Sequence, residues 1–246
     1  MTYPQWSRDN QLGDNNTMGL TKVTAAGGVF LRILDGNIVQ KSTTEKPNWE
    51  LYKTINPTTN APLEYWIERY KAIDGYLVKV ERVDKPDVKV FGWKLHLLDD
   101  HEYLIDIKDS SPTTRRVLAM LPNVQLNERL TIKVFKDKEG YNAIMFQQNG
   151  ENVPQYWNKE NLPEPRKIGS KWNFSDSEAL VYDETMKLIP DINANGVDRL
   201  DAYHQSVTDA VETGHYTGPQ ADVISDADEF APDTSVEPPE EDDLPF

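Results

Sequence analysis

The 246-residue chain contains no cysteine and only four histidines. The missing thiols exclude disulfides and thiolate metal sites, and suit a reducing compartment. Catalytic signatures are missing too: there is no Gly-x-Ser-x-Gly, no Walker-type phosphate loop and no His-Glu-x-x-His. The sequence therefore reads as a non-enzyme that needs no cofactor. No apolar stretch approaches the length of a membrane span. The Met1–Trp6 segment lacks the basic-then-apolar layout of a secretory signal. A cytoplasmic protein that does not engage a membrane is expected.

Positive charge is almost absent from one part of the chain. Residues 173–246 carry 2 Lys and Arg against 19 Asp and Glu, a net of −17. Residues 1–172 carry 24 against 22, a net of +2, and hold all six tryptophans. The sequence pI of 4.7 thus belongs to the C-terminal part. A nearly neutral, aromatic-rich body remains compatible with a polyanionic partner.

Turn chemistry and period-2 alternation organise that body. Val29–Leu34 and Ile38–Lys41 flank Asp35-Gly36-Asn37, a strong hairpin signal. Gly75–Val83, Val88–Leu98 and Tyr103–Lys108 read as three consecutive strands, and Leu130–Phe135 with Tyr141–Gln147 as a second long hairpin. Pro62–Ala72 has no breaker after its first residue and is expected to form a short helix. Ser110-Ser111-Pro112 opens another helix, Thr113–Leu121, with a Ser cap and an early Pro. About seven short strands without βαβ alternation predict a mainly β, β-rich α+β fold, as an antiparallel Greek-key barrel or sandwich. The chain divides into a flexible arm (1–24), the body (25–172), a helical extension (173–212) built on Ser175–Leu188 and Val197–Val211, and a disordered acidic tail (213–246).

Alternation also separates the strand faces. Val29, Leu31 and Ile33 share one side of the first strand, and Phe30 and Arg32 the other. Leu130, Ile132 and Val134 likewise leave Thr131, Lys133 and Phe135 opposite, with Lys136 following. Aromatics beside cations suit base stacking and phosphate contact, at about 1–3 kcal/mol per stacked base. Lys41 at the end of the second strand, Lys94 on the polar face of Val88–Leu98, and Trp49, Tyr52, Lys53, Trp66 and Tyr70 in the insert extend this candidate set. In a helix Trp66 and Tyr70 would share one face. Arg115 and Arg116 stand in the first turns of the second helix, near its positive end. Trp93 shares a face with Phe91, Leu95 and Leu97 and reads as core.

Two metal-like motifs fall short. Asp99-Asp100-His101-Glu102 are consecutive turn residues that do not converge on one ion. Asp191-Ile192-Asn193-Ala194-Asn195-Gly196 matches the first half of a calcium loop, but the twelfth position is Ala202. An Asx-rich turn before a helix accounts for it better.

The chain ends Glu240-Glu241-Asp242-Asp243-Leu244-Pro245-Phe246. Such a tip is too short and polar for a core, and suits a partner that seats Phe246 in an apolar pocket and its carboxylates on basic residues. A β-rich body, an acidic linker and the tip Asp242-Asp243-Leu244-Pro245-Phe246 resemble bacterial and bacteriophage single-stranded DNA-binding proteins. The resemblance implies an OB-fold barrel that coats and protects single strands without sequence preference in replication, recombination and repair. It further implies a tip that recruits replication and repair proteins, and a bacterial host cytoplasm as the location. The rival expectation is a phage adaptor or inhibitor that docks onto host replication proteins through the tip without binding DNA.

Overall fold

The computed structural model describes residues 28–56, 60–85, 90–109, 111–158, 160–168 and 171–218. The arm 1–24, residues 86–89 and the tip Asp242–Phe246 lie outside the described residues. The body is strand-rich, as expected of a β-rich α+β chain. Its strands are β1 (Val29–Leu34), β2 (Asn37–Ser42), β3 (Glu50–Ile55), β4 (Pro62–Tyr70), β5 (Ala72–Lys85), β6 (Val90–Leu98) and β7 (Glu102–Lys108). After helix α1 (Pro112–Met120) come β8 (Leu130–Lys136), β9 (Asn142–Gln148) and β10 (Glu151–Asn152). A small antiparallel pair, β11 (Arg166–Ile168) and β12 (Lys171–Asn173), leads into helix α2 (Ser175–Glu212).

Strands β1 to β10 form one sheet in the order β10-β9-β8-β5-β6-β7-β1-β2-β4-β3. Pairing is antiparallel except between β1 and β7. The 14-residue β5 is the hinge of this arrangement. Its first residues pair with β8, and from Tyr76 onward it pairs with β6, with a register shift between Leu77 and Lys79. The β1–β2 turn is the one its sequence dictates, with Asp35 and Gly36 both at positive φ (50° and 69°). That turn curls back onto the far side of the sheet. Gly36 N–H donates to Asn142 Oδ1 (2.6 Å), and Lys136 Nζ lies 3.4 Å from Asp35 Oδ1.

The core lies on the concave side. Leu31, Leu77, Leu95, Leu97, Ile105, Leu130, Ile132 and Phe146 are buried there, under Val117, Leu118 and Met120 of α1. Trp93 belongs to this core, at 1% exposure. Its indole N–H donates to Asp109 Oδ1 (2.9 Å), which also takes the Arg82 guanidinium. Helix α1 begins as its sequence indicates, with the Ser111 hydroxyl accepting from Thr114 N–H.

The structure corrects three expectations. Pro62–Ala72 is not a helix: Pro62–Tyr70 is strand β4, paired to both β2 and β3. Leu63, Tyr65, Ile67 and Arg69 alternate with Glu64, Trp66, Glu68 and Tyr70, and this period-2 pattern, with its aromatic and Ile content, outweighs the lack of a breaker. The two C-terminal helices are one, running through Pro190. Finally, Asp191–Gly196 is neither a calcium loop nor a turn but the middle of α2.

That segment seats the helix. Among the described residues β5 has no strand on its β8 side from Tyr76 onward, which leaves backbone groups exposed to pairing. Asn193 answers this by offering its side-chain amide as a strand would. Val80 N–H donates to Asn193 Oδ1 (2.8 Å), and Asn193 Nδ2 donates to Val80 O (3.2 Å). One turn on, the backbone of buried Gly196 lies against β5 so closely that a Cβ there would stand 1.9 Å from Val78 O. This seat offsets the cost of an interior proline, about 3 kcal/mol. No helix among the described residues is long and apolar enough to cross a membrane.

Gly196→Ala forces the helix off the Val78 carbonyl and is expected to destabilise the protein by about 1–3 kcal/mol. Asn193→Ala, which strips two strand-edge groups of their partner, is expected to cost a similar about 1–3 kcal/mol. Urea unfolding followed by circular dichroism checks both. Wild-type stability in both variants would mean that the helix is not held there.

Candidate nucleic-acid interface

Register decides which side chains share the convex face, away from the core. Phe30 and Arg32 of β1 stand beside Leu104 and Asp106 of β7, and Lys94 of β6 pairs across to Asp106. On the other flank, Arg32 faces Val39 of β2, Val39 faces Arg69 of β4, and Lys41 faces Ile67. Tyr65 in turn faces Tyr52 of β3. One continuous face across β6-β7-β1-β2-β4-β3 thus collects Phe30, Arg32, Lys41, Tyr52 and Lys94 of the sequence-predicted set. Tyr65, Ile67 and Arg69 join them, and the helical reading of Pro62–Ala72 is what hid Tyr65 and Ile67.

The face has its own apolar floor of Leu34, Val39, Tyr65 and Ile67, with Tyr52 and Leu63 half-buried around it. Cations lie over its rings. Lys94 Nζ is 5.1 Å from the Phe30 centroid, Lys41 Nζ 4.9 Å from Tyr65, and Arg69 Cζ 6.0 Å from Tyr52. Acids sit among them: Arg69 Nε is 3.0 Å from Glu50 Oε2, and Lys94 Nζ is 3.8 Å from Asp106 Oδ1. These two pairs differ in kind. Glu50 is 60% exposed, so its bond to Arg69 is worth about 0–1 kcal/mol and exchanges readily. The Lys94 and Asp106 side chains are only 14% and 7% exposed, so Lys94 orients Phe30 rather than meeting solvent.

The remaining predicted residues lie elsewhere. Trp49 is half-buried in the loop before β3, with Lys46 Nζ 4.7 Å from its centroid. Lys53, Trp66 and Tyr70 occupy the opposite face of β3–β4. There Lys53 bonds Glu64 (2.6 Å), and the Tyr70 hydroxyl donates to Glu68 (2.5 Å). Burial, and then that bond, push the Tyr70 phenol above its ordinary range. Arg115 on α1 pairs with Glu178 of α2, and Arg116 is half-buried beside it. Lys133 and the exposed Phe135 face outward from β8, whose end lies against the β1–β2 turn at Gly36. Lys136 pairs with Asp35 at the hairpin turn.

At one end of the convex face sits a polar cluster that period-2 reasoning does not reveal. His96 Nδ1 is 2.6 Å from Glu102 Oε1, and its Nε2 is 3.2 Å from Glu81 Oε2, itself bonded by Lys79. Glu102 Oε2 is 3.0 Å from Nε2 of His204, on α2. Burial alone would raise the Glu102 carboxyl, but hydrogen bonds from His96 and His204 outweigh it and hold it below the ordinary glutamate value. Glu81 is lowered in the same way, with burial overcome by Lys79 and His96. The other acids of the 99–102 turn are also engaged. Asp99 accepts from Arg129 (2.7 Å) and Asp100 from the Tyr103 hydroxyl (2.7 Å). Among the described residues no group of three or more His, Asp or Glu side chains is arranged to hold a metal ion.

Comparison with protein families, curated proteins and solved structures finds no match to this chain.

Because Glu102 and Glu81 are held low in the folded state, their contribution to stability is present above the ordinary carboxylate range. It is lost as pH falls through their folded-state values. Thermal unfolding between pH 7 and pH 3 is therefore expected to show a steep acid-side loss that Glu102→Gln flattens. That variant should cost about 2 kcal/mol at pH 7, as for a hydrogen bond to a charged group. An unchanged acid limb would rule out this origin.

Proposed function

We propose that this protein binds single-stranded DNA without sequence preference on the convex face of β6-β7-β1-β2-β4-β3, and recruits partner proteins through its C-terminal tip. The observation that carries the reading is the register, which gathers Phe30, Tyr52, Arg32, Lys41 and Arg69 on one sheet face. Phe30 and Tyr52 offer ring faces to separate bases of one strand, and every base has a π-face, so sequence matters little. Arg32, Lys41 and Arg69 follow the phosphates, with Arg69 exchanging Glu50 for phosphate at small cost. The tip Asp242-Asp243-Leu244-Pro245-Phe246, which resembles that of bacterial and phage single-stranded DNA-binding proteins, supports the recruiting role. Coating of exposed strands in replication, recombination and repair, in a bacterial host cytoplasm, is the corresponding biological setting.

The acidic tail also regulates the face. Ten of its carboxylates follow residue 216. Two turns before α2 ends, His204 meets Glu102, on the strand that pairs with Phe30. At low salt these carboxylates compete with DNA for the same cations.

Fluorescence anisotropy with a labelled mixed-sequence single strand tests the proposal. Phe30→Ala and Tyr52→Ala should each weaken binding by about 5- to 100-fold, the equivalent of one lost stack. Lys41→Gln should reduce the slope of log affinity against log salt by about 0.7. Removing residues 219–246 should tighten binding at low salt. Absence of DNA binding, together with tip-dependent capture of a host replication protein, would favour the adaptor reading instead.

A further inference from the structure

Among the described residues the sheet ends on β10 and on β3, and β5 has a further edge beyond Gly75. At one end, β10 is only two residues long, too short to template a partner. Along the second part of β5, Asn193 of α2 occupies the backbone at Val80. The third edge, β3 at the other end of the sheet, is six residues long, contains no proline, and is exposed at Glu50, Leu51, Lys53 and Ile55.

The direction of its hydrogen bonds is fixed by the hairpin that holds it. Asn56 N–H donates to Ala61 O (2.8 Å). Counting back by twos, Glu50, Tyr52 and Thr54 direct their backbone groups to β4, and Leu51, Lys53 and Ile55 direct theirs outward. Edge strands are commonly guarded by unneutralised charge. Here both charges are neutralised within the chain, Lys53 by Glu64 and Glu50 by Arg69. Leu51 and Ile55 meanwhile stand 38% and 59% exposed.

We infer that β3 pairs antiparallel with β3 of a second copy of this chain, about a two-fold axis through Tyr52. A two-fold axis normal to the sheet keeps each face on its own side, so only residues of like parity can stand opposite one another. Centred on Tyr52, the register sets Leu51 of each copy against Lys53 of the other as hydrogen-bonded pairs, with Leu51 along the lysine's methylene stem. Glu50 then opposes Thr54, and Tyr52 meets Tyr52 on the convex face. Centring on Lys53 instead would set two lysines face to face, which like charge disfavours. In this register no acid or base stands against its like, so the edge is complementary to a second copy of itself. The convex face then continues across the axis through the two tyrosines. That continuation rests on the strand-binding reading above; the pairing itself does not.

Sedimentation velocity and light scattering over a broad range of protein concentration read the pairing directly, without DNA. The full chain is expected to reach twice its 28.1 kDa mass reversibly. Lys53→Pro removes an N–H that points outward, so β3 stays paired to β4, and this variant should remain a monomer with an unchanged circular dichroism spectrum. Leu51→Lys should weaken the dimer in the same direction, and Glu151→Pro, on the β10 edge, should leave it intact. A wild-type chain that is monomeric throughout, a dimer that survives both β3 substitutions, or one lost equally in Glu151→Pro would overturn the inference. Loss of DNA binding in a chain that still dimerises would count against the strand-binding reading alone.

Discussion

The backbone of β5 needs a partner on each side along its whole length, and the rest of the structure is arranged around how it finds them. β6 takes one side from Tyr76 onward, and β8 takes the other only as far as Gly75. The remaining edge is met not by a strand but by Asn193, with Gly196 allowing the helix to come close enough. Unpaired backbone groups in that position would cost about 1–3 kcal/mol each and invite aggregation. Once α2 is seated there, its last turns fall beside the β6–β7 turn, where His204 reaches Glu102. Closing an edge thereby brings the C-terminal half of α2 to one end of the convex face.

That face shows how stability and binding divide the same sheet. Its inner side holds Trp93 and the aliphatic core. Its outer side carries a small floor of Val39, Tyr65 and Ile67, from which Tyr52 and Phe30 emerge only partly buried. Cations placed over these rings hold them in position, and they are themselves balanced by acids of unequal tenacity. Lys94 lies beside the buried Asp106, whereas Arg69 is held by an exposed Glu50 that solvent and salt can release. A face made this way is pre-organised at its rings and exchangeable at its charges, which is what a ligand of uniform backbone and variable bases requires.

Much of the sheet was legible in the sequence because its signals are local. Asp35-Gly36 announces its turn, Ser111-Pro112 its helix, and the Leu130-Ile132-Val134 alternation its inward face. Trp93 could be assigned to the core on parity alone. What escaped was non-local. Whether Pro62–Tyr70 becomes strand or helix depends on β2 and β3 being there to pair with it, and the loss of that one assignment concealed Tyr65 and Ile67. The Asp-x-Asn-x-Asn-Gly run looks like ligand chemistry, yet its Asn and Gly serve a strand 113 residues away from Asn193. Glu102 and His204, 102 residues apart, could be joined only by the fold.

Photo-cross-linking of the wild-type chain to a single strand carrying halogenated deoxyuridine, followed by peptide mapping, tests the placement of the strand most directly. Cross-links concentrated at Phe30 and Tyr52, with Trp66, Tyr70 and Phe135 unmarked, are the predicted result. Cross-links at Phe135 or on the Trp66–Tyr70 side, or none at all under conditions where a control binding protein is labelled, would contradict the convex face as the binding surface.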